Sequence, residues 1–208
     1  MQEKISGLLG VWQKRNIDGI FCENKDQVHK KLSEIIPADA SIGFSGSLTL
    51  EQLEVIEMLS SRGNQVFNQY DPGLSREESL AARRLGVQAD YFLTSANAVS
   101  ESGELVFFSA YGQRIAGIAG ARKVVVVCGT NKITPSLAAA IDRARNIAVP
   151  LNCKRLHWGS ACLEDGKCRN YECSFPEYNR MCCQVLVVEA EVASGRMSVI
   201  LVGEDLGF

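Results

Sequence analysis

Residues 90–132 read DYFLTSANAVSESGELVFFSAYGQRIAGIAGARKVVVVCGTNK, and this stretch decides the fold class. Two apolar runs of β type, Tyr91–Leu93 and Val124–Cys128, bracket it. The second is near-continuous, the pattern of a central parallel strand buried on both faces. Polar residues cluster just past each run: Thr94, Ser95 and Asn97 after the first, Thr130, Asn131 and Lys132 after the second. Ligands of open α/β sheets bind outside the carboxyl ends of the strands, so two such strand ends mark a site.

Outward from this centre, strand and helix patterns alternate. Ile5, Leu8, Leu9 and Trp12 share one helix face over 3–15, and Ile17–Cys22 reads as a strand. Asn24 is placed to cap a helix running to about Ile36, where Pro37 stops it. Ala40–Phe44 is a short buried-type strand, followed by a helix carrying Leu50, Leu53, Ile56 and Leu59 up to Gly63. Asn64–Asn68 reads as a strand, and Ser75 with Glu78 forms a capping box for the helix to Gly86. Leu105–Phe108 is a strand, Gly112–Ala119 a short helix, and Thr134-Pro135 a cap-and-proline start for a helix to about Asn146. Gln184–Ala190 and Met197–Val202 are expected to pair as a C-terminal hairpin around Ser194-Gly195. This order predicts an α/β fold, a mostly parallel sheet with helices on both faces, in one domain over 1–208 with a helical lead-in over 1–38.

The chain has 208 residues, 46% of them hydrophobic, enough for one full core. A formal net charge of −2 argues against a mainly electrostatic nucleic-acid binder. No apolar run approaches the length a membrane-spanning helix needs, and the first residues carry no signal-peptide pattern, so a cytoplasmic location is expected.

The Gly43–Thr49 loop joins a strand to a helix through two glycines and three hydroxyl residues, a geometry that presents backbone N–H groups to anions. The same residues also serve as ordinary helix caps. It lacks the lysine of a phosphate-binding P-loop, and no nicotinamide fingerprint is present. Candidate ligand-binding residues are therefore Ser45, Gly46, Ser47, Asn97, Arg114, Asn131 and Lys132, for a small anionic metabolite. Glu101, in a polar loop between two β runs, is the candidate nucleophile or general base, against the plainer reading of an exposed turn acid.

Residues 151–183 lack periodicity and hold six of the eight cysteines, so they read as a cysteine-rich insertion. Cys162, Cys168, Cys173 and Cys182 are candidate ligands of zinc or an iron–sulfur cluster, although their spacing fits no standard ribbon or ferredoxin run. Reduced thiols packed in a loop, or disulfides, remain open alternatives. Cys22 and Cys128 read as core residues, His29 as solvated, and Trp12 and Trp158 as packing residues.

Taken together, these pieces resemble the LUD domain, the lactate-utilisation family. The resemblance rests on Gly43–Ser47, Asp90–Ala98, Glu101–Leu105, Gly112-Gln113-Arg114, Gly129–Lys132, Ala140–Arg143 with Pro150-Leu151-Asn152, and Gly203–Gly207, so it runs from about residue 41 onward. It implies a fold similar to ribose-5-phosphate isomerase, glucosamine-6-phosphate deaminase and CoA transferases, which bind phosphorylated sugars or acyl-CoA at the strand ends. Residues 41–49 would then be the phosphate loop, and Ser100–Gly103 resembles the segment that carries the CoA-transferase glutamate. The family is associated with oxidation of lactate to pyruvate beside iron–sulfur redox subunits. A short cysteine-bearing branch has a pattern similar to Cys162, Gly166, Cys168, Cys173 and Cys182, with a shorter gap between its second and third cysteines.

Overall fold

The computed structural model describes residues 2–169, 173 and 179–208. The parts of the cysteine-rich insertion at 170–172 and 174–178 lie outside the described residues.

The apolar run ending at Cys128 becomes strand β7 (Lys123–Gly129), which lies inside a parallel six-stranded sheet ordered β1-β10-β7-β4-β2-β3. The other members are β1 (Ile17–Cys22), β2 (Ser41–Phe44), β3 (Gln65–Val66), β4 (Tyr91–Thr94) and β10 (Met197–Val202). Successive β7 residues serve opposite faces. Val124, Val126 and Cys128 enter one core and Val125 and Val127 the other, which is why the run shows no polar alternation. The second core is closed by helices α2 (Lys25–Ile35), α3 (Leu48–Gln52) and α4 (Val55–Ser61) through Val28, Leu32, Leu50, Val55 and Leu59.

The first core is closed by α1 (Gln2–Lys14) and α6 (Gln113–Gly120), and by the inner face of a second sheet ordered β8-β5-β6-β9. Its strands are β5 (Ala98–Ser100), β6 (Leu105–Ser109), β8 (Ile133–Thr134) and β9 (Gln184–Val188). The outer face of this sheet packs Ala98, Val106 and Phe108 against α7 (Leu137–Arg143) and α8 (Val149–Arg155). The fold is thus α/β with a mostly parallel main sheet.

Local signals set most boundaries. Asn24 accepts from the Gln27 backbone N–H to cap α2, and Ser75 and Glu78 form a reciprocal capping box on α5 (Arg76–Val87). Gly43 on β2 runs against α5 so closely that a Cβ there would lie 1.7 Å from the Gly86 carbonyl oxygen.

Four expectations are corrected. The two C-terminal strands do not form a hairpin: β9 joins the second sheet beside β6, and β10 inserts between β1 and β7. Both strands carry buried residues, but on different sheets, and chain adjacency could not reveal this. The single helix expected over Leu50–Leu59 is broken where Glu54 takes a left-handed φ of 49°. Thr134 is a strand residue, and the cap of α7 is Ser136, which accepts from Ala139 N. The boundary read at Pro150 falls inside a continuous helical run. A π turn over Ala144–Ala148 lets Val149 N donate five residues back to Ala144 O, and Pro150 follows directly after it, taking the place of an N–H donor within the run.

Candidate functional site

Strands β2 and β4 end side by side, and their ends open on a cavity of about 650 Å³. Its walls come from the β2–α3 loop (Ser45, Gly46, Ser47), Asn97 after β4, the end of β6, the start of α6 (Gln113, Arg114), and α8. Arg83, Tyr70, Tyr111, Arg155 and Trp158 also line it, together with the carboxylates Glu51 and Glu57.

Arg114 organises the floor. Its Nε donates to Ser45 Oγ (3.1 Å), Nη1 to Asn97 Oδ1 (3.1 Å) and Phe108 O (2.9 Å), and Nη2 to Gly46 O (2.7 Å). Every partner is neutral. Burial pushes Arg114 below its ordinary pKa, but a guanidinium stays charged in proteins. Asn97 is held from both sides, since its backbone carbonyl accepts from Arg143 Nη1 at 2.7 Å. Ser45 Oγ also meets Thr94 Oγ1 at 2.7 Å. Gly46 is required by a close approach: Tyr70 OH accepts its N–H at 2.9 Å, and a Cβ would lie 2.5 Å from that hydroxyl.

Behind this floor sits Lys132, 3% exposed, in a 3-10 turn just past β7. Its Nζ donates to Thr49 Oγ1 and Ser95 Oγ, both at 2.9 Å. Desolvation, with Arg143 and Arg114 nearby, pushes its pKa down to about 7. Among the described residues no carboxylate pairs with Arg114, Arg143 or Lys132. Arg114 therefore stands on the cavity wall with Lys132 and Arg143 behind it, and the hydrogen-bond partners of all three are neutral.

The structure brings Ser45, Gly46, Ser47, Asn97 and Arg114 around one space, with Lys132 one layer behind. Asn131 instead accepts from Leu206 N at 3.2 Å and fixes the C-terminal segment. Glu101 does not line the cavity. It lies in the β5–β6 turn, which is docked on α1: Lys4 pairs with Glu101 at 2.8 Å, Trp12 Nε1 donates to Gly103 O at 2.9 Å, and Arg15 meets Glu104 at 3.2 Å. In that turn the depressed carboxylate is Glu104. Burial works to raise its pKa, and donors from Ser100, Ser102, its own backbone and Arg15 outweigh that and hold it at about 2.

Sequence reasoning missed Arg83, Tyr70, Tyr111, Arg143 and Arg155. It read Trp158 as packing and His29 as solvated. Trp158 does pack, against the core on the outer face of the second sheet, and it also stands on the cavity rim, edge-on to Tyr111 at 5.9 Å. His29 Nε2 donates to Leu53 O at 2.6 Å. Exposed aromatics in loops were the one available signal: Tyr70 and Tyr111 remain 53% and 68% exposed.

A second, smaller space of about 10 Å³ is lined by Cys162, Cys168, Cys173 and Cys182. Among the described residues no disulfide joins the cysteines. Among the described residues no group of three or more His, Cys, Asp or Glu side chains is arranged to hold a metal ion. Cys22 and Cys128 are core residues.

The sequence model of the LUD domain matches residues 9–202, nearly the whole chain. The chain belongs to the LUD domain family. A DUF162 family protein from Deinococcus radiodurans has a similar structure, with 13% identity, a TM-score of 0.52, and coverage of 97% of this chain and 98% of that one. That likeness concerns the fold. Lower similarities link about half of this LUD chain to eIF2B beta from Chaetomium thermophilum (18% identity, TM-score 0.33, 54% of this chain and 43% of that one). Ribose 5-phosphate isomerase from Plasmodium falciparum is similar at 17% identity and TM-score 0.33, over 53% of this chain and 52% of that one. At those scores neither bears on function. No curated protein matches the chain. Among the described residues no helix is long and apolar enough to cross a membrane.

Proposed function

We propose that this LUD protein binds a small carboxylated or phosphorylated metabolite in the strand-end cavity. In this reading it supports oxidation of lactate or a related 2-hydroxy acid in the cytoplasm, beside iron–sulfur redox subunits. The observation that carries the binding reading is Arg114 on the cavity wall, backed by Arg143 and Lys132, none of the three paired with a carboxylate among the described residues. Buried cations cost free energy unless something offsets them. An anion entering beside Ser45, Ser47 and Asn97 supplies the missing charge; on the rim Arg83 favours its approach, while Arg155 is paired with Glu51 at 3.4 Å. The family membership supports the 2-hydroxy-acid assignment.

A thermal-shift and calorimetric series with lactate, longer 2-hydroxy acids, their 2-oxo products, sugar phosphates and acyl-CoA tests the reading. A true ligand at a hundred times its dissociation constant stabilises the fold by about 2.7 kcal/mol. The stabilisation should vanish in Arg114→Met. Absence of any shift across these anions sinks the proposal.

One observation favours a second reading, a transferase- or isomerase-type enzyme for a larger phosphorylated or acyl-CoA metabolite. A cavity of about 650 Å³ edged by Tyr70, Tyr111 and Trp158 exceeds what a lactate-sized acid fills. Preference for acyl-CoA or sugar phosphate over 2-hydroxy acids in the same series selects it.

A further inference from the structure

We propose that the cavity holds a second anion subsite at Arg83, so that its ligand carries two anionic groups joined by an apolar body. The inference rests on the strand-end binding reading and extends it, since the first group is the one that Arg114 receives.

The fold positions Arg83. Gly43 of β2 abuts Gly86 of α5, which seats that helix hard against the sheet. Ser79 on α5 donates to Gln69 O at 2.8 Å and ties the loop carrying Tyr70 to the helix. Arg83 lies one turn on from Ser79, on the same helix face, and it lines the cavity. Its guanidinium carbon stands 5.1 Å from the centre of the Tyr111 ring. Stacking of that kind orients the group and consumes none of its hydrogen-bonding capacity.

The donors of Arg83 are unspent. A guanidinium has five N–H donors, and among the described residues Arg83 makes no hydrogen bond and no ion pair. Its Nε is buried without a partner, a state that costs free energy until an acceptor arrives. Arg62 Nη1 and Arg145 Nε share that state, but neither residue lines the cavity. Arg155 does line it and is already paired with Glu51. Glu57, the other carboxylate of the lining, pairs with neither arginine.

The Arg114 end is complete for one anion. Arg114 spends its donors on Ser45, Asn97, Phe108 and Gly46, and one Nη2 N–H remains. Asn97 Oδ1 accepts from Phe108 N at 2.8 Å and from Arg114 Nη1, which fixes the amide and leaves its Nδ2 donors free. Much of the remaining lining is apolar, through Leu50, Ile56, Val149, Leu156 and Met181. A carboxylate or a phosphate equally answers the fork of a guanidinium, so the second group belongs to that oxyanion class.

Calorimetry compares 2-hydroxy monocarboxylates of increasing chain length with the same acids bearing a terminal carboxylate or a terminal phosphate. In the parent protein the second anionic group should tighten binding about tenfold at the best-fitting length, the gain from charge-assisted hydrogen bonds. Arg83→Gln should abolish that gain and leave monocarboxylate affinity unchanged, whereas Arg155→Gln should preserve it. Circular dichroism and urea unfolding establish that both variants are folded. The terminal group with the larger gain identifies the second anion as carboxylate or phosphate. Monocarboxylates that bind while neither dianion series gains overturn the second subsite alone. So does a gain that survives Arg83→Gln or is lost equally in Arg155→Gln. If no acid in the series binds, the strand-end reading itself falls, and the second subsite with it.

Discussion

Replacing Lys132 by methionine tests whether the strand-end charge is held at a cost. Lys132 is almost fully buried, its two bonding partners are hydroxyls, and desolvation lowers its pKa to about 7. The unfolded chain has an ordinary lysine near pKa 10.4. Between these values the unfolded state binds the extra proton, so stability contributed at this position rises with pH. The cost is fully present below about pH 7 and is relieved as pH approaches about 10. A gap of that size corresponds to on the order of 4 kcal/mol at the acid end. Methionine keeps the length and fills the space. The hydroxyls left behind keep partners, since Ser95 Oγ donates to Thr49 Oγ1 at 3.2 Å and Thr49 Oγ1 to Leu206 O at 3.3 Å. The expected outcome is a variant about 2–3 kcal/mol more stable than the parent near pH 6.5, with the difference shrinking by about 2 kcal/mol by pH 8.5. Urea unfolding of both proteins at matched pH measures it. The comparison must be between the two proteins, because thiols pull the other way. Burial lifts Cys128 to about 11, and such a group loses stability as pH rises through the ordinary thiol range. A stability difference that does not change with pH, or a variant less stable at the acid end, refutes the reasoning.

Arg114→Lys keeps the charge but cannot span Ser45, Asn97, Phe108 and Gly46 at once, so unfolding free energy should fall by about 2–4 kcal/mol and anion affinity with it; urea titration and calorimetry check both. Gly43→Ala forces a Cβ into the Gly86 carbonyl and should cost about 3 kcal/mol or more, or prevent soluble expression, whereas Gly120→Ala meets open space and should be close to neutral in the same thermal scan. Glu101→Gln should leave ligand binding unchanged and shift stability by less than about 1 kcal/mol, because its pairing with Lys4 is exposed; loss of turnover in that variant would return Glu101 to the chemistry.

The fold was readable where one local rule acted alone. Val124–Cys128 could only be a strand buried on both faces, and it became the strand between β10 and β4. Asn24 with Gln27, and Ser75 with Glu78, announced their helix starts through side-chain capping, which needs no tertiary partner. Prediction failed where two arrangements satisfy the same local pattern. Gln184–Val188 and Met197–Val202 are separated by a turn-like Ser194-Gly195, and a hairpin satisfies that pattern locally. The pairing was decided by which sheet had an open position: β10 filled the gap between β1 and β7, and β9 covered the edge of β6. Glu54 broke a helix that periodicity carried through, because no residue preference signals a left-handed glutamate.

The site followed the same division. Ser45, Gly46, Ser47 and Asn97 were legible because strand-end position is itself a sequence property, and the structure puts them on one wall. Glu101 met the same test, a polar residue between β runs, yet its strand pair runs the other way. β5 and β6 are antiparallel, so their turn lies against α1, where Trp12 and Lys4 hold it. Polar residues after a strand therefore point to the ligand cleft only when that strand is parallel to its neighbours. What tells the two cases apart is the return connection. After Thr94 the chain needs the helices and both sheets to assemble before Arg114, Arg143 and Lys132 meet. After Ser100 it needs only the Gly103 turn, whose φ of 100° suits glycine and reverses the chain within a few residues. A strand end that closes on a tight glycine turn has already spent its polar groups on the turn: Ser100 and Ser102 both donate to Glu104, and none of the three is left to receive a ligand.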